Sequence, residues 1–444
     1  MRIALINPKG TIFSKNKRLS EFLKNSVSMG SFRHFWSAPC LGLLTIASYI
    51  PVDWEISYID ENLRRMDDTV DYDMVCISMM TVQAERAYEI GDSYRARGIL
   101  TVMGGIHATL MYQEVLEHSD VVLAGEGEVL FPAFINDFLA GTHKRLYREN
   151  TPGGFELKNC IPPRYDLLKG YDYPVINLYT TRGCPRKCNF CCASNVYGER
   201  YRRKENQEIF KEVSVISQMY PDRMLLFADD NLLIMRKESR EMLQGLEKYD
   251  IRWIAQTDIA IAEDERLLRQ MKQSGCQWVV IGFESLSEKN LRNLDSFGFK
   301  HKYLNEYRAR VGKIQNAGIK VYGTFIVGLD GDTESIFEKT VNFIQDCNLY
   351  GVNITVPTPL PGTQMRRQLE QEGRIISNRW GDYTLWDVVI QPKSFSVSEL
   401  EEGLFSMYER LNKESSVEQR LRQIWCELKA ERQKNRISGE RIKC

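Results

Sequence analysis

Three cysteines, Cys184, Cys188 and Cys191, lie in the run Thr181-Arg182-Gly183-Cys184-Pro185-Arg186-Lys187-Cys188-Asn189-Phe190-Cys191, directly after an apolar stretch at 175–179 that reads as a strand. With 11 cysteines in 444 residues, this CxxxCxxC spacing arises by accident with a chance of about one in a hundred. Three thiolates so placed can take three irons of a cubane and leave the fourth without a protein ligand, whereas an electron-transfer cluster uses four cysteines. The open iron is a binding position for a small molecule. A zinc knot is the alternative, but it needs a fourth Cys or His at matching distance, and Cys192, adjacent to Cys191, is badly placed to serve with it. The chemistry indicated is one [4Fe-4S] cluster on Cys184, Cys188 and Cys191.

Arg182 and Gly183 before the first cysteine and Phe190 before the third resemble the cluster loop of the radical S-adenosylmethionine (SAM) enzymes. The resemblance implies that the methionine amine and carboxylate of SAM chelate the open iron, and that reductive cleavage gives a 5'-deoxyadenosyl radical. It also implies a one-electron donor of flavodoxin or ferredoxin type. Composition fits that setting. Lys and Arg number 59, as do Asp and Glu, which gives no electrostatic case for binding nucleic acid or an anionic membrane surface. The apolar run at the N-terminus is too short for a signal peptide, and no window offers 18 consecutive apolar residues. An odd cysteine count without a regular disulfide framework fits a reducing compartment. A cytoplasmic protein with a small-molecule substrate is expected.

The elements that must carry the loop follow from hydrophobic periodicity. Residues 2–7, 54–60, 74–79, 99–103 and 121–124 are β-rich, and helical stretches lie near 41–49, 84–97, 111–116 and 130–140. Five such units predict a doubly wound, Rossmann-like parallel sheet over residues 1–145, with ligands outside the carboxyl ends of the strands. At those ends stand Asn7-Pro8, residues 78–81, Gly104-Gly105-Ile106-His107 and Gly125-Glu126-Gly127-Glu128. Paired glycines let backbone approach a large flat ligand, and they equally serve plain tight turns.

Pro39-Cys40-Leu41-Gly42-Leu43-Leu44, Asp60-Glu61-Asn62, the Gly104-Gly105 segment and Gly125-Glu126-Gly127-Glu128 resemble the N-terminal domain of the cobalamin-binding subgroup of radical SAM proteins. The resemblance runs to about residue 395. It implies a cobalamin site formed by Gly104, Gly105, His107, Gly125, Glu126 and Gly127. The chain departs from many cobalamin domains in lacking Asp-x-His-x-x-Gly, the motif that supplies a histidine to cobalt. His107 is either turned to the ligand or hydrogen-bonded within its loop.

Residues 146–173, with Pro152, Gly153, Gly154, Pro162 and Pro163, read as a linker. A second alternation follows, with strands at 174–180, 223–227, 251–256, 277–283, 320–327 and 352–356 and amphipathic helices such as 207–219 and 303–317. Six units predict an open (β/α)6 partial TIM barrel over residues 174–365, with chemistry at the carboxyl ends of its strands. Polar residues again cluster at those ends. By position in the superfamily, Asp229, Asp230 and Asn231 resemble the segment that contacts the SAM amine. Glu284 and Ser285 match the fourth-strand motif, with Glu284 an acceptor for ribose hydroxyls. Residues 323–328, ending at Gly328, match the fifth-strand motif, and Phe190 is implied to pack on the adenine. A charged residue at a strand end is equally a helix N-cap, so the argument rests on their order after the cysteines. Residues 366–444 read as a helical C-terminal region, with helices at 399–413 and 417–434. In the second of these, Leu421, Trp425 and Leu428 form a packing stripe and Cys426 is an incidental thiol, as is Cys444.

The function implied is an enzyme that cleaves SAM at a [4Fe-4S] cluster and, with cobalamin, methylates an unactivated carbon of a small biosynthetic intermediate. The alternatives are a cobalamin-independent radical reaction (cyclisation, rearrangement or transfer of another SAM-derived group) and a non-catalytic cobalamin or cluster sensor. The organised strand-end residues argue against a sensor, which has no use for a SAM pocket.

Overall fold

The computed structural model describes residues 1–11, 13–25, 37–67, 70–158, 160–295 and 297–413. The chain opens with a parallel sheet of β1 (Arg2–Asn7), β2 (Glu55–Asp60), β3 (Met74–Ser78), β4 (Leu100–Gly104), β5 (Val121–Ala124) and β6 (Leu146–Arg148) in the order β2-β1-β3-β4-β5-β6. Ile3, Ala4, Leu5 and Ile6 are all fully buried. A continuous apolar run like this marks a strand covered on both faces, as parallel sheets require. The strand order reverses between β1 and β3, so the crevice at that switch point, outside Asn7 and Ser78, is where the fold accepts a ligand.

The second sheet holds β7 (Val175–Leu178), β10 (Met224–Phe227), β11 (Trp253–Thr257), β12 (Cys276–Glu284), β13 (Lys320–Ile326) and β14 (Gly351–Thr355), ordered β14-β13-β12-β11-β10-β7 and parallel throughout. β7 and β14 do not pair, so this is an open six-stranded barrel. Its helical side is aromatic: the Phe283 and Phe325 rings stack at 5.3 Å, with Phe343 and Tyr307 set edge-on against Phe283. The outer edge of β14 is covered by Tyr408, whose hydroxyl accepts from Ile354 N and donates to Ile354 O. That contact removes an exposed strand edge. A short antiparallel hairpin, β8 (Thr181–Arg182) with β9 (Arg202–Arg203), frames the cysteine loop.

Two stretches differ from the sequence expectation. Residues 146–173 are not a free linker: β6 completes the first sheet against β5, and Tyr165, Leu168 and Tyr173 are buried. Three residues are too short a run for periodicity to register. The C-terminal region is only partly helical. Helices Gln364–Gln371 and Val397–Leu411 flank an irregular arm at 372–396, pinned by an Ile375–Ile390 bridge. Gly373, Gly381, Pro392 and several Ser, Thr, Asn and Asp residues break the helical pattern there. The arm turns back onto the first domain: Ser14 donates to Asp387 at 2.5 Å and Trp380 Nε1 to Glu114 at 2.6 Å. The expected helix at 417–434, with Leu421, Trp425, Cys426 and Leu428, and Cys444 lie outside the described residues.

Candidate active site

The cysteine loop runs across the mouth of the barrel from β8. Gly183 enters it at φ +84°, where an added Cβ would strike the Arg200 carbonyl, so a left-handed glycine is needed to pass that backbone. Lys187 makes a second left-handed turn at φ 50°. Inside the loop Cys191 N donates to Cys188 O at 3.1 Å, and the loop is tied to the barrel by Asn189 N to Leu294 O and Met365 N to Asn189 O, both 2.9 Å. Cys184, Cys188 and Cys191 are free and partly exposed. Burial pushes all three thiols up, Cys188 to about 12, so a thiolate here needs a cation beside it. Among the described residues no three His, Cys, Asp or Glu converge to hold a single metal ion. The corners of a cubane, by contrast, take one thiolate each, and three free thiols on one rigid loop fit that donor set.

Around the loop the expected residues divide by what they touch. Asp229 is a knot beneath it. One carboxylate oxygen accepts from Thr180 N at 3.0 Å, from the Thr180 and Thr181 hydroxyls at 2.9 and 2.5 Å, and from Thr181 N, while its second oxygen is unpartnered and buried. Asp230 is exposed, and its charge acts on Cys184, Cys191 and Cys192. The surrounding protein and the Asp229 charge push it up to about 6. Asn231 is structural, donating to Asp258 at 2.9 Å, and Asp258 in turn pairs with Arg186 of the loop at 2.7 Å. The Arg186 guanidinium sits 3.3 Å over the Phe299 ring. Sequence order gave no sign of this chain of contacts.

At the end of β12 the register slips between Gly282 and Glu284, and Glu284 takes φ 63°. A bulge that re-aims a side chain beside a site has this form. The Glu284 carboxylate pairs with Lys300 at 3.1 Å, and the same ammonium donates to Gly282 O at 2.5 Å. A Cβ on Gly282 would lie about where that pair sits, 2.2 Å from Glu284 Oε1, so the glycine makes room for it. Lys300 is 16 residues downstream on another element, and spacing could not have linked the two. Ser285 is a turn residue: its buried hydroxyl accepts from Ser287 N at 3.1 Å. Gly328, at φ +93°, is packed against Leu400 and donates to Asp332 at 3.0 Å, so it shapes the strand end. Phe190 is half-buried against apolar neighbours.

One expectation for the first domain is corrected. His107 does not face a ligand: it is fully buried, with Nε2 3.0 Å from the Tyr88 hydroxyl and Nδ1 3.3 Å from Thr81 Oγ1, and Trp380 set edge-on 5.1 Å away. Gly105, at φ +95°, is crowded by its own protein, since a Cβ would meet Met79 N and O at 2.8 Å. Glu126 is buried, whereas Gly125 and Gly127 are partly exposed. The Glu126 carboxylate accepts from Arg182 and Arg202, and Glu126 N donates to Glu149 at 2.9 Å. A Cβ on Gly125 would meet that Glu149 carboxylate, and one on Gly127 would meet Ile46. Space remains elsewhere at the switch point. Gly104 has only ordinary contacts in front of it, a Cβ on Gly42 would find just Ser78 Oγ at 3.8 Å, and Met80 is 44% exposed. Glycines with free space and an exposed apolar side chain at a doubly wound switch point fit a large flat cofactor. Surface clefts lie beside Asn290 and beside Asp332, and the first of them takes in Asn189 of the cysteine loop.

Comparison with known proteins agrees with this reading. Residues 178–344 match the radical SAM superfamily and residues 38–135 the B12 binding domain. The chain is 27% identical over 394 residues to the bacteriochlorophyllide d C-12(1)-methyltransferase of Chlorobaculum tepidum, covering 86% of this chain and 84% of that one. It is 25% identical to the anaerobic magnesium-protoporphyrin IX monomethyl ester cyclase of Rubrivivax gelatinosus, covering 86% and 74%. The radical SAM methyltransferase TsrM of Kitasatospora setae, solved with cobalamin and a [4Fe-4S] cluster, shares the fold at TM-score 0.63 and 15% identity, covering 91% of this chain and 85% of that one. The chain belongs to the cobalamin-binding subgroup of the radical SAM superfamily, whose cofactors are a [4Fe-4S] cluster, SAM and cobalamin. No described helix is long and apolar enough to cross a membrane.

Proposed function

We propose that this protein is a cobalamin-dependent radical SAM C-methyltransferase acting on a small biosynthetic intermediate. The observation that carries the reading is a loop of three free thiols, at the mouth of an open barrel, joined through Arg182 to Glu126 and Glu128 at a strand end of a B12-type domain. When bound, the cluster supplies the electron that cleaves SAM and cobalamin supplies a methyl carrier, and the protein's share is placement and exclusion of water. Cys184, Cys188 and Cys191 hold the cluster. Asp230, exposed and with its charge acting on the thiols, accepts from the SAM amine, and Asp229 supports it from below. Glu284 accepts from the ribose hydroxyls, and Lys300 beside it fixes that carboxylate. Gly42, Ser78, Gly104 and Met80 would line the corrin crevice, and His107 would not reach cobalt because both its nitrogens are engaged. A flavodoxin- or ferredoxin-type donor and a reducing, cytoplasmic setting complete the proposal. A tetrapyrrole is the first substrate class to try, since the methyltransferase and cyclase relatives both take one by name.

The cyclase relative supports a second reading, radical chemistry without methyl transfer. Anaerobic reaction of the reconstituted protein with SAM and dithionite separates the two: both readings require 5'-deoxyadenosine, and only methyl transfer requires S-adenosylhomocysteine. Absence of 5'-deoxyadenosine would overturn both.

A further inference from the structure

The Gly125–Glu128 turn points its two carboxylates at the barrel. Glu126 accepts from Arg182 at 2.7 Å and from Arg202 at 2.8 Å. Glu128 accepts from both arms of the Arg182 fork, at 2.6 and 3.1 Å, and from the Tyr179 hydroxyl at 2.5 Å. The two Glu side chains are 1% and 3% exposed, Arg202 is 2% and Arg182 11%. The Arg182 guanidinium also lies 4.1 Å over the Tyr179 ring. Glu149, which accepts from Glu126 N at 2.9 Å, completes the group, and the Glu126, Glu128, Arg182 and Arg202 charges satisfy one another.

Its position gives it a purpose. Arg182 is separated from Cys184 only by Gly183, so it grips the entry of the cysteine loop. Arg202 donates to the carbonyl of Tyr197 at 2.7 Å, at the end of the helix that follows Cys191 and Cys192, so it grips the exit. Both arginines are held by one turn of the other domain. Burying four charges is a poor way to gain stability, because apolar side chains of similar volume serve as well or better. What the Arg182 fork on Glu128 and the Arg202 bridge from Glu126 to Tyr197 O add is fixed geometry. We infer that Glu126, Glu128, Arg182 and Arg202 form a positioning clamp that sets the cluster loop against the first domain, fixing the distance and orientation between the cluster and the corrin. The inference rests on the proposed two-cofactor function.

The test uses the full chain, reconstituted anaerobically with iron, sulfide and hydroxocobalamin, as wild type, Arg182→Lys, Glu128→Gln and Leu268→Ala. Arg182→Lys keeps the charge and loses the fork, and Glu128→Gln keeps the shape and loses the charge. Leu268 is a buried residue of the outer helix Glu265–Gln273, and its truncation controls for loss of stability alone. Electron paramagnetic resonance reads two quantities: the change in the cob(II)alamin signal when the cluster is reduced, which depends on their separation, and the shift of the cluster signal on adding SAM. Arg182→Lys and Glu128→Gln are expected to retain wild-type iron and cobalt content while both quantities change. Leu268→Ala is expected to lower the Tm and leave both at wild-type values. Spectra of the two clamp variants that coincide with wild type, or that Leu268→Ala reproduces, would overturn the clamp. A wild type that takes up no cobalamin would remove the two-cofactor reading. In that case the SAM-induced shift decides the remaining claim, and an unchanged shift in Arg182→Lys ends it.

Discussion

At the scale of residues, the three cysteines were legible because their chemistry depends on local spacing, whereas their partners were not, because each arrives from a distant element. Lys300 reaches Glu284 from 16 positions away and Arg182 reaches Glu126 across 56. Residues singled out at strand ends differ in their contacts: Asp230 is exposed with its charge acting on the thiols, while Asp229, Asn231 and Ser285 are hydrogen-bonded within the surrounding loops. Two expectations follow. Cys184→Ala, Cys188→Ala and Cys191→Ala each lose the cluster, whereas Cys192→Ala retains a full complement of iron and sulfide, as counted after anaerobic reconstitution. Glu284→Gln weakens SAM binding by about 1–3 kcal/mol, or roughly 5- to 150-fold in KM for SAM, because ribose hydroxyls lose their charged acceptor. A KM equal to wild type, measured by 5'-deoxyadenosine formation at limiting SAM, would contradict that role.

At the scale of elements, eleven of the strands were readable from apolar runs bounded by turn residues, while β6, β8 and β9, of two or three residues each, fall below the length at which any period shows. The C-terminal arm was misread for a different reason: its path is dictated by contacts with the first domain, through Trp380 to Glu114 and Asp387 to Ser14, which no local pattern records. His107 lies against that arm. Burial, with the Arg366 charge adding to it, holds its imidazole down at about 4, against about 6.5 in an unfolded chain. The unfolded chain therefore binds the extra proton between those values. The stability that His107 contributes is complete above about pH 6.5 and is lost as the pH falls toward about 4, on the order of 3 kcal/mol over the window. His107→Gln removes the titrating group, so the difference in Tm between pH 7 and pH 4.5 becomes smaller in the variant than in wild type. An equal difference in both would show that the histidine does not sense the junction of arm and domain.

At the scale of the molecule, the order of domains was readable from two successive β/α alternations, one before and one after the proline- and glycine-bearing stretch near 152–163. How the two faces meet was not. The barrel strand β7 sits behind the first domain through Asn177, which donates to Pro39 O at 3.1 Å, and Tyr173 donates to Asp60 at the end of β2 at 2.6 Å. With the Glu126–Arg182 pair, these contacts join the first domain to the barrel at several points. In the proposed function, a cluster held by Cys184, Cys188 and Cys191 and a corrin held by the first domain would give SAM two fates, reductive cleavage and methyl donation. The most direct measurement is a single anaerobic reaction of the reconstituted protein with hydroxocobalamin, reductant and SAM carrying a deuterated methyl group, analysed by mass spectrometry. The account predicts 5'-deoxyadenosine and S-adenosylhomocysteine together, with the deuterated methyl recovered in the corrin fraction and all three products lost in Cys188→Ala. Formation of 5'-deoxyadenosine with no S-adenosylhomocysteine and no label on the corrin would contradict it.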